Sequence, residues 1–124
     1  MTYLLDSVIL IDHFNGIDAA TRFLASQDGN LAISSITRAE VLAGFPETKI
    51  SLGTAVLDSL QFLPMDRAVS DEAARIRRRT KLKLPDAIHA AFATTHSLKF
   101  ATRNKKDFPV IRYPFVVIPY ELSE

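Results

Sequence analysis

Two rhythms of apolar and polar residues alternate along the chain. Short runs rich in large apolar residues have the length and composition of buried strands: "TYLL" before Asp6, "LAIS" at 31–34, "QFLPM" at 61–65, "KFAT" at 99–102 and "PFVVIP" at 114–119. Between them the spacing lengthens to that of helices. "SVILIDHF" and "AATRFLASQ" read as two helical pieces parted by the turn dipeptide Asn15-Gly16, and Asp28-Gly29-Asn30 closes the second. "SSITRAEVLAGF" offers Ser or Thr as N-cap and Gly44 near its end, with Pro46 as a stop. Further helices are expected at about 48–60, 67–80 and 85–97, and "RNKKDF" reads as a polar loop. Strands that alternate with helices predict an α/β fold around a parallel sheet. No repeat, low-complexity tract or linker interrupts it, so one domain over residues 1–124 is expected.

Composition adds exclusions. Hydrophobic residues make up 48% and charged residues 23%, enough apolar material for a core without covalent staples. Cysteine is absent, which excludes disulfides, thiolate metal sites and a cysteine nucleophile, and fits a reducing cytoplasm. "MTYLLDSVILID" has no basic leader and reads as a poor secretion signal. No apolar run approaches the roughly 18 residues of a membrane span, so no membrane partner is expected. The net charge is only +1, yet the cations cluster. Arg75, Arg77, Arg78, Arg79, Lys81 and Lys83 form one group, and Arg103, Lys105 and Lys106 a second. Such groups suit phosphate binding by counterion release, although a solvated helix face balanced by Asp71 and Glu72 has the same composition.

The acids carry the chemistry. Open parallel sheets place ligands beyond the carboxyl ends of their strands. Asp6 falls just past "TYLL", Asn104 and Asp107 just past "KFAT", and Asp86 opens the helix leading into that strand. Glu40 lies one turn past Ile36, on the flank of an apolar stripe expected to comprise Ile36, Ala39, Leu42 and Ala43. Asp86 lines up with Ala90, Ala93 and Ser97 on a small-residue face. Each acid also has a plainer role open to it: Asp6 as a helix cap, Asp86 as a helix-dipole acid behind Pro85, Glu40 as a surface residue, Asp107 as a turn residue. Together they say more. Converging carboxylates repel, and a cation relieves that repulsion; oxygen donors favour Mg²⁺ or Mn²⁺ over zinc.

"LLDSVILID", "ITRAEVLAGF", "LPDAIHAAFA" and "ATRNKKDF" resemble, in order and rough spacing, the motifs of PIN-domain nucleases, most nearly the VapC-type toxins of type II toxin–antitoxin pairs. The resemblance implies a PIN-like three-layer α/β/α fold and a Mg²⁺- or Mn²⁺-dependent endoribonuclease hydrolysing RNA phosphodiester bonds. It assigns the catalytic, metal-holding acids to Asp6, Glu40, Asp86 and Asp107, with Ser7, Thr102 and Asn104 as helpers. Many relatives carry an aspartate where this chain has Asn104, a departure that bears on the last acid. The resemblance further implies an RNA substrate, a cognate antitoxin and a homodimer. Arg77, Arg78, Arg79, Arg103 and Lys105 are the residues expected to guide RNA.

Three other readings compete. A DNA-binding helix module does not call for "LAIS" and "FVVIP" as buried strands, and another metal-assisted hydrolase on a similar sheet is left open by the acids alone. A catalytically degenerate PIN domain acting as an RNA- or partner-binding module finds its support in Asn104. Of His13, His89 and His96, only His89, one turn after Asp86, stands near the expected site; a histidine on an apolar helix is more often packed than catalytic.

Overall fold

A strand buried on both faces needs apolar side chains at successive positions, and β1 (Tyr3–Leu5) and β2 (Leu31–Ser34) have them. The computed structural model describes residues 2–122; Met1, Ser123 and Glu124 of the expected domain lie outside the described residues. β3 (Gln61–Leu63), β4 (Lys99–Ala101) and β5 (Val116–Val117) complete one five-stranded sheet in the order β3-β2-β1-β4-β5, with every pairing parallel. β1 is central, with Leu4 opposite both Ala32 and Phe100.

Alternation along the strands divides the core. Leu4, Ala32 and Phe100 join one apolar cluster, whereas Leu5, Ile33 and Ala101 join another. Helices α5 (Arg67–Arg79) and α6 (Leu84–Thr95) cover the first through Val69, Ala73, Ala87, Ala91 and Phe92. The second is covered by α1 (Ser7–Phe14), α2 (Asp18–Ser26), α3 (Ser35–Ala43) and α4 (Ile50–Asp58), through residues such as Ile9, Leu10, Val41 and Leu57. The result is a three-layer α/β/α sandwich.

Every expected strand and helix is present among the described residues, with local differences. The stretch expected as a helix at 48–60 begins as a 3₁₀ turn, Glu47–Lys49, before α4. α6 ends at Thr95, so Ser97, exposed and at φ 56°, belongs to the following turn and not to a small-residue helix face; Ala90 and Ala93 are buried. The stripe on α3 also differs: Ala39 and Ala43 are exposed, and Thr37 and Val41 are buried. Two hydrogen bonds help set this rotation. Ser34 caps the helix by accepting the Thr37 N–H at 3.0 Å, and the Thr37 hydroxyl donates to the Leu5 carbonyl at 3.4 Å.

Phe100 is fully buried between the His89 and Phe108 rings, at centroid distances of 5.5 and 5.2 Å. Phe100→Ala is expected to cost about 3–5 kcal/mol, read from urea unfolding. A loss below about 1 kcal/mol would mean that the surrounding core collapses into the vacated space.

Candidate active site

β1 has β2 on one side and β4 on the other, and the chain reaches those neighbours over opposite faces of the sheet. Such a reversal opens a crevice at the carboxyl ends of the two central strands. Asp6 stands there. It occupies the N-cap position of α1 but makes no capping hydrogen bond, so the plain capping role is not the one it fills. Its Oδ2 accepts from the Thr102 hydroxyl at 2.6 Å, and its Oδ1 from the Ser7 hydroxyl at 3.4 Å. Thr102 is completely buried just past β4, and its Oγ1 also accepts the Asn104 N–H at 3.0 Å. The loop after β4 is thereby tied to the carboxylate after β1.

Asp86 lies in the first turn of α6, behind Pro85. An acid serving only the helix dipole would have its pKa lowered. Here the carboxyl is pushed up, by partial burial and then by the charges of Asp107 and Asp6, against the smaller opposing pull of His89 and Lys83. Asp107 is exposed; its Oδ2 accepts from the Asn104 amide at 2.9 Å, and its own N–H donates to the Asn104 Oδ1 at 3.2 Å. Asn104 therefore holds the acid beside it in place.

Glu40 joins from α3 through a histidine. His89, 5% exposed and stacked on Phe100, presents Nε2 to the Glu40 carboxylate at 3.6 Å. Burial works to lower the imidazole's pKa, but Glu40, Asp6 and Asp86 together raise it. The Glu40 carboxyl is lowered by His89 against desolvation, with a smaller contribution from Ser7. His89 Nδ1 is buried without a hydrogen-bond partner. The other histidines are engaged apart from these acids: His13 pairs with Thr21 at 2.8 Å, and His96 stacks on Phe92.

The basic residues separate into two kinds. Arg77, Arg78 and Arg79 are exposed along the last turn of α5. Arg103 is not a free cation: its Nε and a terminal nitrogen donate to Asp12 at 2.7 and 2.9 Å, and the Tyr120 hydroxyl donates to the same carboxylate at 2.7 Å. Burial tends to raise the Asp12 carboxyl, but Arg103 and Tyr120 hold it below its ordinary value. Lys105 is paired with Glu121. Sequence reasoning missed the Asp12–Arg103–Tyr120 cluster. One signal pointed to it, since Asp12 lies one turn past Ile9 on the buried side of α1, where an acid requires a partner.

Side-chain electrostatics thus link Asp6, Asp86 and Asp107, with Glu40 attached through His89. Among the described residues, no three His, Asp or Glu side chains are arranged to hold a metal ion by themselves. The donor set is nonetheless all hard oxygen, with the Ser7 and Thr102 hydroxyls at Asp6. Mg²⁺ commonly uses one or two carboxylates and completes its shell with water, so this set fits such an ion and not zinc.

Residues 3–112 match the family model described as the PIN domain. Ribonuclease VapC10 of Mycobacterium tuberculosis is 32% identical over 92% of this chain and 93% of its own length. Among solved structures, a toxin–antitoxin complex from Klebsiella pneumoniae superposes at a TM-score of 0.91 with 36% identity, covering 98% of this chain and 100% of that one. FitAcB from Neisseria gonorrhoeae superposes at 0.80 with 26% identity and the same coverages, 98% and 100%.

Two stability measurements separate the repelled acid from the compensated one. Ionised Asp86 opposes folding, because its carboxyl titrates higher in the fold than at its ordinary value of 3.8. Asp86→Asn in EDTA at neutral pH is therefore expected to stabilise the fold slightly, by under about 1 kcal/mol after solvent screening, and so to raise the melting temperature, with the gain fading as pH falls through the raised folded pKa and gone below the ordinary value of 3.8. An unchanged or lower value would show that the carboxylates do not repel. Asp12 has the opposite sign: its contribution is present above its unfolded pKa and lost as pH falls through the lower folded value. Asp12→Asn is expected to cost about 1–3 kcal/mol at neutral pH and less in acid, by urea unfolding at both.

Proposed function

Since the chain belongs to the PIN-domain family, we propose that residues 1–124 form one PIN-like domain that acts as a Mg²⁺- or Mn²⁺-dependent endoribonuclease, the toxin of a toxin–antitoxin pair. The observation that carries the reading is the gathering of Asp86, Asp107 and Asp6 near the crevice between β1 and β4, where partial burial and then the charges of Asp107 and Asp6 raise the Asp86 carboxyl. Acids serving only structure would be expected to have counter-ions, as Asp12 does in Arg103.

In this reading Asp6 and Asp86 are the principal metal-holding residues, with Glu40 and Asp107 completing the set directly or through water. Phosphodiester hydrolysis draws from a bound divalent cation an acidified water and relief of charge on the breaking bond. The chain's own groups set the stage for that chemistry. Thr102 and Ser7 orient the two oxygens of Asp6, and Asn104 orients Asp107. His89 holds the Glu40 carboxyl below its ordinary value, and the 3.6 Å approach of its Nε2 ties α3 to α6 at the site. Of the expected guides for RNA, Arg77, Arg78 and Arg79 are exposed and unpaired among the described residues, whereas Arg103 is held by the buried Asp12 and Lys105 is paired at the surface with Glu121. A cytoplasmic location, a homodimer and a cognate antitoxin partner belong to the same proposal. It is supported by the VapC10 likeness and by the toxin–antitoxin complex from Klebsiella. No helix among the described residues is long and apolar enough to cross a membrane.

A second reading, a degenerate PIN domain that binds RNA or a partner without cutting, is favoured by the neutral Asn104 occupying Asp107 Oδ2. One experiment decides between them. Wild-type protein with Mn²⁺ is expected to cleave total RNA at defined positions and to melt higher than in EDTA. Asp86→Asn is expected to remain folded, lose the metal-induced shift and cleave at least about 100-fold more slowly. Normal cleavage by Asp86→Asn would remove that residue from the mechanism; wild type without cleavage or metal response would favour the degenerate form.

A further inference from the structure

Five basic side chains are committed to acids: Arg22 to Asp18, Arg38 to Asp58, Arg75 to Glu72, Arg103 to Asp12 and Lys105 to Glu121. Of the cations outside these pairs, Lys81, Lys83, Lys106 and Arg112 gather in one place. Among the described residues none of the four forms an ion pair, all are exposed, and all line one cavity of about 210 Å³. They come from two separate stretches, the connection between α5 and α6 and the loop region after β4. Asp86 and Asp107 line the same cavity, so it is continuous with the acidic site. Four cations against two carboxylates leave it net positive.

Cations gathered in excess of the carboxylates among them cost free energy unless a further anion occupies the space between them. The apolar part of the lining narrows the choice of anion. Tyr113 stands beside Pro109 and the buried Leu82, its ring edge-on to Phe108 at 6.0 Å and tilted against Phe115 at 6.1 Å. An aromatic face held by its neighbours beside a cluster of cations has the two parts of a single-stranded nucleic-acid site, a stacking platform and a phosphate-binding wall. The cavity is smaller than the roughly 300 Å³ at which pockets for drug-sized ligands begin, so it suits part of one nucleotide.

Resting on the nuclease reading above, we infer that this cavity is the subsite for the nucleotide adjoining the scissile bond of single-stranded RNA. Lys81, Lys83, Lys106 and Arg112 take its phosphate, and Tyr113 stacks on its base. The backbone is thereby held one step from the acids, and the job expected of Arg103 and Lys105 passes to residues with unspent charge.

The test uses a fluorescent mixed-sequence oligoribonucleotide, its binding read by anisotropy in EDTA and its cleavage read with Mn²⁺. The double variant Lys106→Ala/Arg112→Ala is expected to weaken binding at least tenfold. It should flatten the salt dependence by about one in log–log slope for each phosphate no longer held, and raise KM more than it lowers kcat. Lys106→Arg should bind as wild type does. Tyr113→Leu should lose roughly fivefold or more in affinity, and Tyr113→Phe should retain it. The comparison Lys49→Ala/Arg67→Ala removes equal charge from outside this cavity and should change binding less than about twofold. Equal losses in the two double variants would overturn the subsite in favour of bulk charge. Cleavage and binding by Lys106→Ala/Arg112→Ala at wild-type levels would overturn it while the nuclease reading stands. Wild type that binds with the stated losses but never cuts would support the cavity as an RNA site and overturn only the nuclease reading. Displacement of the RNA by polyglutamate at matched charge would overturn the nucleotide assignment in favour of an acidic peptide.

Discussion

The parallel pairing of β1 with β4 is the constraint on which the site depends. These strands are 94 or more positions apart in the chain, yet Tyr3, Leu4 and Leu5 register with Lys99, Phe100 and Ala101, and the Asp6 N–H continues the ladder by donating to the Ala101 carbonyl. Register also aligns the two strand exits. Asp6 must meet Thr102, because both are the next residue out, and the 2.6 Å hydrogen bond between them closes the seam. A slip of one residue would turn Leu4 and Leu5 to the wrong clusters. The apolar core on each face therefore enforces the alignment of the polar residues at the strand ends.

Around that seam, aspartates of the same chemistry have different surroundings. Asp12 is 6% exposed, yet two donors from Arg103 and one from Tyr120 more than offset its desolvation. The cluster also ties α1 to the loop after β4 and to the segment after β5, so its role is architectural. Asp86 is more exposed than Asp12 but has no comparable compensation, so partial burial, and then the charges of Asp107 and Asp6, push its carboxyl in the opposite direction. This contrast in compensation, at carboxylates both disfavoured by desolvation, marks out a site. Proteins tolerate such repulsion where function uses it.

Much of this was legible in the sequence, and the limits have physical causes. Strand positions could be read because they are short apolar runs bounded by turns, and Asp6 and Asp86 stood out because an acid beside such a run needs a reason. Helix rotation was harder. Ala39 and Ala43 fit an apolar stripe by composition, but alanine is indifferent to exposure, and the capping of α3 by Ser34 together with the Thr37 hydroxyl set its buried face. Ion pairing was hardest. Arg103 sits in a basic run, and nothing local reveals that Asp12, 91 positions away, neutralises it. The same blindness kept Arg112 and Tyr113 out of the sequence reading, since only the fold brings them beside Lys81 and Lys83.

An acidic site for a polyanion has a built-in conflict, because carboxylates that can hold a cation also repel the phosphate to be cut. The structure separates the two demands in space. His89 lies buried with Nε2 toward Glu40, and Glu40, Asp6 and Asp86 all favour its charged form against the burial that opposes it. The unpaired cations stand on the outer side, around a cavity that still includes Asp86 and Asp107. Charges at the surface act within roughly a Debye length, about 8 Å at physiological salt. A cation group must therefore adjoin the acids to hold a backbone against them, and cations already spent in ion pairs contribute little to the field. By that criterion the exposed arginines at the end of α5 are suited to attracting RNA from solution, and the lysines and arginine of the cavity to retaining it next to the acids.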